Sequence, residues 1–407
     1  MTPDTSIYIH IPFCKHRCAY CDFNTYAGQE AMIPAYVEAL IKEIEFIGTQ
    51  LPNSPIYKST STIFFGGGTP SLLSGPQFDS IMSALSSTFT ISADAEVTIE
   101  ANPGTISPAK LDAIRKAGIN RISFGVQSSN TEELRMLERS HDFFTVIEAV
   151  STARKAGFNN LNLDLIYALP EQTLASWQTT VKRVLELEPE HISAYALTLE
   201  HGTPFGRWAD KGILPLPDPD LAADMYEWTM DYLAENDYVH YEISNWAKDN
   251  GQRTIDDGKP SFACEHNLQY WRSLSYLGLG AGAHGYAGGF RYSNALRIKT
   301  YIDRLSNSQS NNLPFPLTPA TVNHHKQTQS DDISDYMINN LRLVQAGIAD
   351  SDFRSRFGGG LLNSFPKEVE ELIKNGLMEK KTSDNSEVFR LTRRGRLLGN
   401  RVFSHFV

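Results

Sequence analysis

Residues 14 to 21, CKHRCAYC, hold three of the four cysteines of this 407-residue chain; the fourth is Cys264. Three thiols on one short stretch suit two chemistries. Cysteine pairs two to four residues apart fit tetrahedral zinc, with His10 or His16 as candidates to complete the ligand set. An iron-sulfur cubane normally takes one thiolate per iron, so three thiolates leave one iron open to a small ligand. A second stretch, CEHNLQYW at 264–271, places an imidazole (His266) beside two flat aromatic faces, Tyr270 and Trp271, with Cys264 as a soft donor. On the residues alone a buried aromatic pair beside a structural histidine is the favoured reading, and ligation of a heme iron by the imidazole is the alternative. The third stretch is FFGGGTPSLL at 64–73. Gly66, Gly67 and Gly68 allow a ligand close to the backbone, and Thr69 before Pro70 makes an N-cap and N1 pair for a following helix. A tight strand-to-helix turn would look alike. The segment lacks the Gly-Lys-Ser/Thr of a phosphate loop, which disfavours a nucleoside triphosphatase.

The elements that must carry these residues alternate. SIYIHI (6–11), STIFFG (61–66), EVTIEA (96–101), RISFGV (121–126), LNLDLIY (161–167) and HISAYALTL (191–199) read as strands apolar enough to be buried on both faces. Between them lie amphipathic helices. In the first, Tyr36, Leu40, Ile41, Ile44 and Ile47 form one stripe and Glu38, Lys42, Glu43 and Glu45 are expected on the opposite face. Another runs from about Phe143 to Ala156 and stops at Gly157. Six successive βα units imply a parallel sheet with right-handed crossovers, doubly wound or curled into a barrel. Glu100, Gln127 and Asp164 fall near the C-terminal ends of strands and Arg139 follows the fourth, which is where such folds build their sites.

Composition sets the surroundings. Four cysteines are too few for a disulfide framework in a chain of this length, so a reducing compartment is expected. The N-terminus shows no signal-peptide pattern and no run reaches the ~18 apolar residues of a membrane span, so the chain is expected to be cytoplasmic without a transmembrane segment. A net charge of -10 argues against a nucleic-acid partner. The arginines near the C-terminus, Arg390, Arg393, Arg394, Arg396 and Arg401, are read as a solvated face. The expected division is a core domain at 1–240, a connecting region at 241–305, a polar linker at 306–332 and a C-terminal module of helices and a hairpin, winged-helix-like, at 333–407.

The CxxxCxxC loop after a first strand, with Tyr20 just before the last cysteine, resembles the radical S-adenosylmethionine (SAM) superfamily. The resemblance implies a partial (β/α)6 TIM-like barrel, a [4Fe-4S] cluster on Cys14, Cys18 and Cys21, and SAM on the open iron. Further likeness is to oxygen-independent coproporphyrinogen III oxidases and their relatives. It implies SAM contacts at Tyr8, Tyr20, Gly67, Gly68, Thr69 and Glu100, with Gln127, Arg139 and Asp164 at positions that touch a second SAM in the oxidase. Two departures from the oxidases stand out: Phe23 sits where they extend the motif to CxxxCxxCxC, and only seven residues precede Tyr8. Both features, with the HNxxYW pattern of His266, Asn267, Tyr270 and Trp271, resemble the heme chaperone HemW branch instead. That branch implies heme as cargo and heme-accepting proteins as partners, respiratory enzymes at the membrane surface among them, and it allows a homodimer. The polar insertion before Cys264 and the 306–332 segment depart from the family pattern. Oxidative decarboxylation of coproporphyrinogen III is the alternative activity, and a zinc-stabilised nucleic-acid module is the alternative from another class.

Overall fold

The structure, a computed structural model, describes residues 5–51, 59–251, 259–307, 313–383 and 386–407. The centre of the polar insertion, residues 308–312 near the start of the 306–332 segment and the tip of the C-terminal hairpin lie outside the described residues. The strands in chain order are β1 (Thr5–Ile11), β2 (Phe13–Cys14), β3 (Tyr26–Ala27), β4 (Ser59–Gly67), β5 (Thr90–Ala101), β6 (Arg121–Gln127), β7 (Leu161–Tyr167), β8 (His191–Ala196), β9 (Tyr238–Glu242), β10 (Asn245–Lys248), β11 (Tyr276–Leu279), β12 (His284–Ala287), β13 (Phe290–Asn294), β14 (Thr321–Lys326), β15 (Ile348–Ala349), β16 (Met378–Ser383) and β17 (Ser386–Leu391).

Two compact units divide the chain: Met1–Glu190 with Ala194–Ala222 and Leu274–Lys326, and His191–Ser193 with Ala223–Ser273 and Gln327–Val407. The contiguous stretches expected from sequence do not follow these lines. In the first unit β1, β4, β5, β6 and β7 are successive parallel neighbours, and helices such as Ile33–Gln50, Gly75–Thr88 and Phe143–Lys155 connect them; the sixth strand, β8, is shared between the two units, with Ala194–Ala196 in the first. This is the partial barrel of six βα units. In β1 only Tyr8 keeps partial exposure, and β6 and β7 are nearly as enclosed, which is why these strands read as unbroken apolar runs. Phe143–Lys155 ends as expected at Gly157, whose φ of 86° is the left-handed value a helix terminus favours in glycine.

The sheet continues past the barrel. β11 pairs in parallel with the other edge of β1, and β12, β13 and β14 extend it as an antiparallel meander. Residues 321–326, expected in a linker, therefore form a strand, and the weak apolar pattern of TVNHHK reflects an edge strand with one side open to solvent. One side chain is corrected outright. Glu43, placed on the solvent face of its helix, is fully buried and accepts hydrogen bonds from Gly280 N (2.8 Å), Asn294 Nδ2 (2.8 Å), Thr318 Oγ1 (2.9 Å) and Tyr301 Oη (2.6 Å). Four donors replace the water a buried carboxylate loses, so one residue ties the meander to the barrel's first helix.

The second unit packs the helices Gln329–Asn340, Asp350–Phe357 and Pro366–Lys374 with the three-stranded sheet β15-β17-β16 around Met337, Phe353, Leu372 and Phe389. Of its arginines, Arg390 is bonded to Glu379 at 2.6 Å and Arg393 to Asp231 at 2.5 Å. No helix among the described residues is long and apolar enough to cross a membrane.

Candidate functional site

The cysteine loop lies between β2 and β3, which pair Cys14 with Ala27 and so close both ends of residues 14–27. Within it Cys21 N donates to Cys18 O at 3.1 Å, and Arg17 donates to the carbonyls of Cys21 and Phe23. Those bonds hold the thiols in one loop conformation. Each thiol has its own polar neighbour: Thr69 Oγ1 donates to Cys14 Sγ at 3.6 Å, Arg139 Nη1 to Cys18 Sγ at 3.5 Å, and Thr25 Oγ1 lies 4.0 Å from Cys21 Sγ. Burial pushes the Cys14 and Cys21 thiols up, against the pull of these hydroxyls.

The glycine segment closes the opposite wall. Gly68 N donates to Ile11 O at 2.8 Å and Thr69 N to Phe13 O at 2.7 Å, so its backbone runs against the strand that leads into Cys14. A Cβ on Gly68 would sit 2.6 Å from Phe13 O, and one on Gly67, where φ is 108°, 2.4 Å from the His10 ring. Only glycine fits either place. Thr69 does not cap a following helix through its side chain: residues Pro70–Leu72 form a single 3-10 turn, the Thr69 hydroxyl goes to Cys14, and the long helix begins at Gly75 with a capping box from Ser74 and Gln77.

Cys14, Cys18, Cys21, Tyr20, Gly67, Gly68, Thr69, Glu100, Gln127, Arg139 and Asp164 all line one cavity of about 390 Å³. Tyr8 is not among its lining residues; its hydroxyl lies 2.9 Å from His10 Nδ1 and its ring is stacked on Phe64. Glu100 ends β5 and accepts from Gly67 N at 2.9 Å. Burial first, and the charge of Asp164 second, push its carboxyl up to about 7. Asp164 is oriented by Ser123 Oγ and Asn162 Nδ2, both at 2.7 Å. Sequence reasoning singled out neither of them, although their alternation with Asp164 along β6 and β7 is the signal that would have found them.

Zinc with His10 is not supported by the side-chain arrangement. Its Nδ1 meets Tyr8 Oη and its Nε2 meets Asn24 O at 2.9 Å, so both ring nitrogens are taken. His16 is exposed and paired with Glu138 at 3.1 Å. Among the described residues no group of three or more His, Cys, Asp or Glu side chains is arranged to hold a metal ion. The donor set does fit an iron-sulfur cluster with a nucleoside-bearing cofactor beside it. Three thiols face the cavity, Gly67 and Gly68 bring backbone to its lining, Glu100 offers acceptors, and Arg139 keeps a buried Nε with no partner among the described residues.

In the second unit, the helix Glu265–Trp271 starts after Cys264. His266 and Tyr270, four residues apart, share one face, with His266 Nε2 at 2.8 Å from Tyr270 Oη. His266 is 1% exposed and Cys264 is equally buried, with its N–H on Tyr241 Oη at 3.1 Å. Asn267 and Trp271 are half-buried, and Trp271 packs on the cluster of Tyr241, Ala263, Leu268 and Leu343. The imidazole thus points inward to a hydrogen bond, as a structural histidine does.

Comparison with known proteins covers both units. Residues 8–184 match the radical SAM superfamily model and residues 327–398 the HemN C-terminal domain. Over 402 residues, 99% of this chain and 97% of the relative, it is 35% identical to heme chaperone HemW of Lactococcus lactis subsp. lactis. To heme chaperone HemW of Bacillus subtilis it is 38% identical, covering 99% of each protein. Among solved structures it resembles the radical SAM enzyme coproporphyrinogen III oxidase (HemN) of Escherichia coli, with a TM-score of 0.79 and 26% identity over 99% of this chain and 90% of that one.

Proposed function

This chain belongs to the radical SAM superfamily and, within it, to the heme chaperone HemW family, and from that premise we propose that it is itself a heme chaperone of the cytoplasm. In this reading Cys14, Cys18 and Cys21 hold a [4Fe-4S] cluster and Glu100 with Gly67 and Gly68 receives SAM. The Cys264–Trp271 stretch carries heme for delivery to acceptor proteins, respiratory enzymes at the membrane surface among them. When bound, the cluster supplies one-electron chemistry and an iron open to a small ligand. The chain's own part is to bind and orient. Thr69 and Arg139 donate to the thiols of Cys14 and Cys18, favouring the thiolate each ligand must become. Glu100, an acceptor when ionised, suits the diol of a ribose.

The observation that carries the reading is one cavity faced by three thiols together with a half-buried acceptor carboxylate. Phe23, also on its lining and 62% exposed, occupies the position where the oxidases place a further cysteine. The favoured reading is therefore the chaperone.

Heme ligation by His266 requires its Nε2 to leave Tyr270. Two variants test this by heme titration followed in the visible spectrum. His266→Ala is expected to weaken binding at least about tenfold, ~1.4 kcal/mol. Tyr270→Phe keeps the ring and removes the hydroxyl at 2.8 Å, so heme is expected to bind up to about tenfold more tightly, since a typical hydrogen bond contributes ~0.5–1.5 kcal/mol. Unchanged affinity in both variants would remove His266 as the ligand.

A further inference from the structure

The helix that ends at Trp271 carries an indole Nε1 that is buried and meets no acceptor among the described residues. Beside it lies Arg342. Its guanidinium is 4.9 Å from the centre of the Trp271 ring and 4.8 Å from that of Phe403, and its Nε is buried without an acceptor as well. The arginine is fixed in place: its carbonyl accepts from Ile243 N at 3.1 Å, and the next residue, Leu343, packs in the same apolar cluster as Trp271. Burial works against its charge, and the field of Glu242 works for it. The carboxyl of Glu242 is itself occupied by Ser244 N and Asn245 Nδ2.

An unpartnered buried donor is costly, more so when it belongs to a charged group. Here two such donors belong to side chains in contact, and although the donor atoms are buried each side chain keeps part of its surface exposed. The guanidinium lies within about 5 Å of both ring centres, and the N–H groups of an arginine fork are those that pair with a carboxylate. A group that only accepts, carries negative charge and comes attached to a flat apolar body answers every feature of this place.

Resting on the heme reading of this helix, we propose that Arg342 and the Trp271 indole N–H together receive a propionate carboxylate of heme. The stretch then recognises the acidic edge of the tetrapyrrole as well as its iron, and it prefers porphyrins with free carboxylates over esterified ones.

The test compares heme with its dimethyl ester, each titrated into the full-length protein and into the Arg342→Met and Trp271→Phe variants. The wild-type protein is expected to bind heme about tenfold more tightly than the ester. Arg342→Met, which keeps an apolar stem, is expected to bring heme down to the level of the ester and leave the ester unchanged. Trp271→Phe, which keeps a ring and removes the N–H, is expected to lose several-fold for heme alone; it carries the test if the arginine variant does not fold. The proposal is overturned if the wild type binds the two ligands equally, or if the variants lose both in the same proportion, which marks a purely structural role. A wild-type protein that binds neither ligand overturns it together with the heme reading, and that case is recognised because no variant is needed to see it.

Discussion

Replacement of Cys14, Cys18 or Cys21 by Ala is expected to leave the anaerobically reconstituted protein without a stable cluster, whereas Cys264→Ala is expected to keep the full iron and sulfide content. The reason is that no neighbour can take over. His10 has both ring nitrogens engaged, and His16 is exposed and bonded to Glu138. Cys264 is buried in the second unit with its own backbone bonded to Tyr241. Thr69 and Thr25 stand near Cys14 and Cys21, but a hydroxyl is a poor substitute for a thiolate on iron. Iron and acid-labile sulfide analysis with Mössbauer spectra reads the outcome. A cluster that survives loss of any of the three, or is lost with Cys264, would contradict the ligand assignment.

Glu100→Ala is expected to weaken SAM binding about ten- to hundredfold without lowering iron content, because hydrogen bonds to a charged group contribute ~1.5–3 kcal/mol. A pH dependence follows from its burial. The carboxyl titrates near 7 in the protein, against 4.5 when unperturbed, so the folded state holds a proton that the unfolded chain releases between these values. This group's contribution to stability is therefore greatest at low pH and falls as pH rises toward 7. SAM, which as a diol donor favours the ionised carboxylate, is expected to bind more tightly as pH rises through about 7. In Glu100→Gln, the uncharged mimic, that rise is expected to disappear. Calorimetric titrations between these pH values check both statements; equal slopes in wild type and Glu100→Gln would assign the linkage to another group, and an unchanged affinity in Glu100→Ala would leave Glu100 a structural role.

The parts of the molecule legible from sequence are those where local pattern and function coincide. Strands such as β1, β6 and β7 read as apolar runs because nearly all their residues are enclosed, and the three cysteines lie on one short loop because they lie close in the chain. The glycines of 66–68 were legible as a close approach, but not what approaches them: His10 against Gly67 and Phe13 against Gly68 depend on the register of β1 with β4. Glu43 shows the limit most clearly. Nothing within its helix distinguishes it from Glu38 or Lys42, since its four donors come from residues 280–318. The β11–β14 meander was obscured because its strands are short and half polar, and a stretch such as TVNHHK satisfies its backbone on one side only. Arg342 carried no sequence signal at all; its relation to Trp271 arises from the packing of Leu343 on the residues around that helix.

A heme chaperone of this kind binds heme without making porphyrin, which separates it from the oxidase. One anaerobic preparation, reconstituted with iron and sulfide and supplied with SAM and reductant, is divided between a heme titration and a coproporphyrinogen III turnover assay. Saturable heme binding and no formation of protoporphyrinogen are expected; turnover of coproporphyrinogen without heme binding would contradict the chaperone reading.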